Sequence, residues 1–543
     1  MKTLNKTSDL PPQYLRKTNA QLLAALAQKD DLIEKLQRQN QQLIEQFRLA
    51  QHKQFGKSSE ANVNQGELFN EAEMIVEAEE ANPSSSNAED TTPTINEKSL
   101  PKGKPLPADL PREVIVHDIT EEEKTCGSCG NLRHPMGEVK SEQLEFVPAT
   151  IKVIEHVRLK YSCRHCETQG EQTKIQLASL PARPIPKSIA TSSLLAQIIT
   201  SKYQYALPLY RQESLFKQHG IELSRSTMSI WMLKSAALLQ PVYDRLKEGL
   251  LQQPVIQADE TPLNVINEDK SQCYMWLYCS GTDKPKSKTD PPDKVQLPNS
   301  QNTIEETPVQ NIVLYDYQNS RAGKCAVEFL QDFRGDLQVD GYKGYEQTHS
   351  QLAGCMAHAR RKFIEAQRVE VKGKVGKADW AINHIKKLYV IEKHIQHKTA
   401  EEKQRIRQEK AKPLLDQMKK WLDKSAHHVL PKTAIGKAVQ YSLNQWDKLT
   451  RYIENGHLAI DNNRAERAIK PFVIGRKNWL FSQSSNGAHA SAVLYSLIEI
   501  AKANGLVPYD YLNLLLEEAP KKPTNLDDLL PWHVKLSQGK LST

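Results

Sequence analysis

The chain has no long hydrophobic run. No apolar stretch among its 543 residues approaches the roughly 18 positions a membrane-crossing helix needs, which argues against a helical membrane protein. It also lacks a signal-peptide pattern. The run "LLAALA" (residues 22–27) is short and lies inside a polar helical stretch, so a cytoplasmic protein is expected. Cysteine is scarce: there are eight, four in two C-x-x-C pairs and four scattered. That spacing excludes a disulfide framework and suggests reduced thiols with a metal site. Charge of one sign is not in large excess either. The 73 Lys+Arg against 65 Asp+Glu leave a net +8, which permits nucleic-acid binding without requiring it.

The length suits three or four domains. Residues 15–55 read as a coiled coil. Leu26, Ile33, Asn40 and Phe47 fall at a positions, and Leu15, Leu22, Leu36 and Leu43 at d, with Lys29 interrupting the d series. A polar Asn at an a position fixes register and a two-stranded state; one amphipathic helix packed on its own protein is the other reading. Residues 56–112 are a Pro-, Ser- and Asn-rich linker, expected to be disordered. Residues 113–180 hold Cys126-Gly-Ser-Cys129 and Cys163-Arg-His-Cys166, separated by the strand-like "QLEFVP" and "TIKVIEHVRLKY". Four thiolates on two knuckles make a tetrahedral zinc ribbon. With four protein ligands it has no open position, so the zinc is structural.

Residues 187–245 read as a helix-turn-helix. A helix breaks at Gly220, and Ser224 or Ser226 caps a second helix whose first residues, Arg225, Ser226 and Thr227, are placed to meet DNA. The pattern then turns to strands: residues 255–265, 273–280 and 311–317, a helix at 322–333, a fourth strand at 336–340, a short run "GCMAH" at 354–358, and a basic helix containing Arg360 and Arg361. This is the element order of a ribonuclease-H-like α/β core, residues 252–366, interrupted by a helical insertion, 367–458, and resumed at 459–505. Two helices broken at Asn504-Gly505, with Pro508 opening the second, lead into a C-terminal segment, 506–543. The fold class is multidomain α+β.

Asp259 is placed at the end of the first strand and Asp340 at the end of the fourth, which are neighbours in such a sheet; Glu466 would add a third carboxylate. Phosphodiester chemistry uses such a set to hold two Mg²⁺ ions roughly 3.5–4 Å apart. Each residue has a plainer reading. Asp340 precedes Gly341, a common turn. Glu466 lies three residues after Asn463 in "DNNRAERAIK", the spacing of a capping box. Glu260 should face the other side of its strand.

Five stretches settle on one family: "QADETPLNV", "LQVDGYKGY", "GCMAHARRKF", "LNQWDKLTRYIENG" and the run from "DNNRAERAIK" to "GLVPYDYL". They resemble transposases of the insertion sequence 66 family, in order and over nearly the whole chain, including "LLPWHV" near its end. The resemblance implies a DDE transposase in a bacterial cytoplasm, associated with the nucleoid. Asp259, Asp340 and Glu466 would be the catalytic carboxylates on two Mg²⁺, with Mn²⁺ able to substitute, and Asn462 or Asn463 would cap the helix. It implies binding of double-stranded DNA at terminal inverted repeats and at a target, homodimer or higher assembly through the coiled coil, and accessory proteins of the same element. Cys355 and His358 resemble an auxiliary signature near the active site of related enzymes. Lys470 or Lys477 would take the place of a basic residue expected at 473, where this chain has Val473; Arg476 adds to the positive surface. A catalytically silent, repeat-binding regulator is the alternative.

Overall fold

In the computed structural model the described residues are 12–55, 151–161, 176–270, 272–282, 309–369 and 376–534. The four knuckle cysteines, Cys126, Cys129, Cys163 and Cys166, and the 56–112 linker lie outside them. The chain divides into two units, residues 84–180 and the remainder. In the first unit, β1 (Lys160–Tyr161) pairs antiparallel with β2 (Gln176–Leu177). Of the expected strand over "TIKVIEHVRLKY", the described residues 151–161 form strand only at the last two; residues 151–159 are irregular and largely exposed, Val153 at 94%.

The larger unit begins with α1 (Pro12–Phe55), one unbroken helix of 44 residues. Its heptad positions Leu22, Leu26, Ile33, Leu36, Leu43 and Phe47 are all more than half exposed. No helix among the described residues is long and apolar enough to cross a membrane. Three helices follow: α2 (Ser192–Tyr203), α3 (Leu209–Gln218) and α4 (Arg225–Leu251). Gly220, at φ 73, makes the turn before α4, and the Ser224 hydroxyl caps α4 by accepting from the Thr227 amide. These helices share one hydrophobic core with the sheet that follows. Tyr243, late in α4, donates to the Tyr315 carbonyl inside that core.

The sheet has five strands: β3 (Val255–Leu263), β4 (Cys273–Ser280), β5 (Ile312–Gln318), β6 (Asp336–Gln338) and β7 (Gln351–Ala353), with α5 (Gly323–Leu330) between β5 and β6. Their order is β5-β4-β3-β6-β7. The first three form an antiparallel meander; β6 and β7 add to β3 in parallel. β4 is buried along almost its whole length, as a central strand should be. The fifth strand is Gln351–Ala353, just before "GCMAH"; Met356 already begins a helix.

That helix is α6 (Met356–Val369). After it come α7 (Lys377–Ile395), α8 (Ala400–Ile406), α9 (Lys412–Ala426), α10 (Ala434–Asn444) and α11 (Trp446–Thr450), built around a second core of their own. Arg407 stitches it by pairing with Glu392 at 2.6 Å and donating to the carbonyls of Tyr452 and Asn455. The chain then returns to the sheet as α12 (Asn463–Trp479), α13 (Ser485–Ala503) and α14 (Pro508–Glu518). α13 is buried on nearly every side, and its Ser496 hydroxyl accepts from the Tyr315 amide of β5. The break falls at Asn504-Gly505, with Gly505 at φ 73 and Pro508 opening α14.

Candidate active site

β3 and β6 run in parallel register, with Val255 opposite Asp336 and Gln257 opposite Gln338. Side chains alternate, so two residues further on Asp259 and Asp340 share the face of those glutamines. Asp259 does not end its strand, as expected, but sits in the middle of it. β3 stays paired with β4 as far as Leu263, whereas its pairing with β6 stops at Gln257. The two aspartates thus emerge where the neighbouring strand gives out. Below them Gln257 donates its amide to Gln338 Oε1 at 2.9 Å, and Gln338 donates to the Ala459 carbonyl at 2.6 Å. The repeated Q-x-D of "QAD" and "QVD" is the sequence signal for this pair of glutamines.

Asp340 lies two residues past β6, in a turn. Its Oδ1 accepts from the Tyr342 amide at 2.9 Å, Gly341 takes φ 102, and Tyr441 of α10 donates to the Asp340 carbonyl at 2.9 Å. Glu260 faces away from Asp259, as alternation requires. Its buried carboxylate takes Arg321 on one oxygen and the Tyr345 hydroxyl on the other at 2.7 Å.

Glu466 is one turn into α12 and 5% exposed. The capping-box expectation fails. Neither Asn462 nor Asn463 caps through its side chain, and Glu466 does not reach back to the helix start. Asn462 instead donates its side-chain amide to the Ala258 carbonyl at 2.8 Å and its backbone amide to Cys355 Sγ at 3.2 Å. Asn463 is held by both oxygens of Asp461, which the Tyr389 hydroxyl also reaches at 2.8 Å. The Asn462 bond ties the first turn of α12 to the residue before Asp259.

The Glu466 carboxylate is gripped by Arg361 of α6, whose Nη2 lies 2.8 and 2.6 Å from its two oxygens. Arg361 Nη1 also donates to His358 Nε2 at 3.3 Å, which assigns the ring proton to Nδ1, 3.4 Å from Glu466 Oε1. Ligand atoms of Cys355, His358 and Glu466 lie within 4.8 Å of one another. Burial and the adjacent guanidinium push His358 down to about 4, so its ring is neutral near pH 7. Burial raises the Cys355 thiol, which therefore stays protonated.

Burial, and then the carboxylates of Glu260, Asp340 and Glu466, push Asp259 well above the usual range. Burial likewise lifts Glu466 to about 7 against the pull of Arg361, with Asp461 and Asp340 adding to the rise. Among the described residues the ligand atoms that gather within 4.8 Å are those of Cys355, His358 and Glu466, not the three carboxylates together; Asp259, Asp340 and Glu466 are near enough for their charges to oppose one another, and such hard oxygen donors suit a divalent cation such as Mg²⁺.

The other expected site residues divide. Arg225 is exposed and pairs with Glu213 at 3.2 Å; Ser226 is exposed and Thr227 partly so. Arg360 is only 6% exposed, and Arg361 is turned onto Glu466. Arg360 is thereby withdrawn from the surface, whereas Arg361 keeps 28% of its side chain exposed beside the carboxylate. Lys470 is half-buried, Lys477 exposed, and Arg476 donates to the Thr261 hydroxyl at 3.2 Å.

Residues 187–490 match the family model "Transposase IS66 family", 123–167 match "zinc-finger binding domain of transposase IS66", 42–115 match "Transposase C of IS166 homeodomain", and 496–532 match "IS66 C-terminal element". Similar proteins in Sinorhizobium fredii (strain NBRC 101917 / NGR234) include "Uncharacterized protein y4jD", 34% identical over 80% of this chain and 82% of its own. "Uncharacterized protein y4hP" is 31% identical over 81% and 78%.

Proposed function

The chain belongs to the IS66 transposase family, and on that premise we propose that it cuts and joins DNA at the ends of its own mobile element with Asp259, Asp340 and Glu466 as the reacting centre. The observation that supports this is the parallel register of β3 and β6, from which Asp259 and Asp340 each follow two residues after the paired Gln257 and Gln338, with Asn462 at the start of the Glu466 helix bonded to the same strand. The sheet order, an antiparallel meander extended by two parallel strands, supports a ribonuclease-H-like core. The three carboxylates would hold two Mg²⁺ ions, or Mn²⁺. When bound, such ions polarise the phosphate, activate the attacking oxygen and stabilise the leaving oxygen.

Arg361 keeps Glu466 oriented and partly neutralised before DNA arrives, and neutral His358 fixes the guanidinium. The reaction is two phosphoryl transfers. Water opens the bond at the element's end and frees a 3′-hydroxyl. That hydroxyl then attacks a target phosphodiester, one P–O bond forming as another breaks, so neither ATP nor a covalent protein intermediate is needed. Cys126, Cys129, Cys163 and Cys166 would hold a structural Zn²⁺, and the ribbon with the α3–α4 pair would read the terminal repeats. α1 would pair subunits so that two ends are held together.

The test supplies purified protein with labelled element-end DNA, a supercoiled target plasmid, Mg²⁺ and any accessory proteins of the element. Wild type is expected to give joined product, and Glu466→Gln to lose it by more than about a hundredfold. End binding with no product from wild type would replace this reading with that of a silent regulator.

A further inference from the structure

α12 ends in an unusual way. Leu480 takes φ 64 and ψ −44, a conformation L side chains rarely adopt. The Phe481 amide donates to the Trp479 carbonyl at 2.8 Å, closing a γ-turn with Leu480 at its centre, and the Leu480 amide donates to the Arg476 carbonyl at 2.7 Å. The strained turn presents apolar side chains to solvent: Leu480 is 64% exposed and Phe481 45%. It is also held from the far side. Ser482 bonds to Asn264 and Ile266 on the connection after β3, at 2.9 and 3.0 Å. Ile266 is itself 53% exposed. A rigid apolar tip thus stands on the helix that carries Glu466, stapled to an extension of the strand that carries Asp259. Strain that the surrounding structure over-determines in this way marks a working part.

Between Glu466 and the tip, Lys470 and Lys477 follow at helical spacing on one face of α12. Fourteen residues of helix put the tip about 20 Å from Glu466. Along duplex DNA that span is about six base pairs. We propose that the Leu480–Phe481 tip is a wedge that enters the element-end duplex about six base pairs from the cut phosphate and unstacks a base step, while Lys470 and Lys477 follow the phosphates between. Apolar side chains of this size part base steps in DNA-bending proteins, and the kink brings more backbone against basic surface. The proposal rests on reading the three carboxylates as the cutting centre.

The experiment uses the full chain and element-end duplexes with 2-aminopurine at successive positions, with binding followed separately by anisotropy. Wild type is expected to raise the emission at one step five to seven pairs from the cut site, and Glu466→Gln to raise it equally, because it removes only cutting. Leu480→Gly relieves the strained backbone and should unfold no earlier than wild type, yet lose the rise. Phe481→Ser should lose it too, and Phe481→Leu keep part of it. No rise at any step, or a rise retained by Leu480→Gly and Phe481→Ser, overturns the wedge. Normal emission with no strand transfer by wild type would instead sink the cutting centre.

Discussion

Glu466 holds its proton more tightly in the folded protein than an ordinary glutamate, at about 7 against 4.5. Between those values the folded state keeps a proton that the unfolded chain has lost. Stability therefore falls as pH rises through that window and levels off above it. Metal-free protein should melt at a lower temperature at pH 8 than at pH 5.5, and calorimetry of Glu466→Gln should show a flatter dependence. Arg361→Ala should do the opposite. It removes the cation that holds the carboxyl down, which carries the loss of stability on to higher pH and destabilises the protein at pH 8 by about 1–3 kcal/mol, since a buried acceptor loses its partner. Added Mn²⁺ should then stabilise this variant more than wild type. Equal slopes in all three proteins would show that the Glu466–Arg361 pair does not control the site's charge.

Among the elements, the turn after β6 is the one that positions Asp340. Gly341 takes φ 102, and a Cβ there would also press on Gln445 and the Tyr441 hydroxyl at 3.4 Å. Gly341→Ala should lower stability by about 1–2 kcal/mol in urea unfolding and reduce strand transfer by moving Asp340. Unchanged activity would mean that the turn does not place the carboxylate. This turn was legible in the sequence because Asp-Gly announces itself locally. So were β3, β4, β5 and the break between α13 and α14, where strand-like runs and an Asn-Gly followed by Pro mark the ends. What stayed hidden depends on partners far along the chain. Asn462 looks like a helix cap until Ala258, more than 200 positions earlier, is seen to receive its amide. Arg360 and Arg361 read as a basic surface, because composition does not say that Arg360 is buried or that Arg361 turns onto Glu466. The tip at Leu480 carries no turn residue, and its exposure is a tertiary outcome.

For the whole molecule, assembly should turn on α1, whose heptad face is bare in a single chain. Leu36→Asp changes a residue already 54% exposed, so it should leave the melting of the core alone. Light scattering should find wild type at twice 61.6 kDa or more and the variant near 61.6 kDa, still binding a single element end but failing to join a pair. An unchanged mass would return α1 to the reading of a helix packed on its own protein.

The excursion between β7 and α12 leaves and re-enters the sheet at almost the same place. The Met356 amide bonds to the Ile460 carbonyl at 3.1 Å, and the Gly354 amide to the Lys448 carbonyl at 2.8 Å. Around a hundred residues with their own core are thereby hung from a neck that closes on itself. Beyond α6, which serves Glu466, and α10, whose Tyr441 holds the Asp340 turn, such an appendage can lengthen, shorten or be exchanged over evolutionary time without shifting the carboxylates. Natural variation within this lineage should then accumulate there, leaving the cutting centre as the common inheritance.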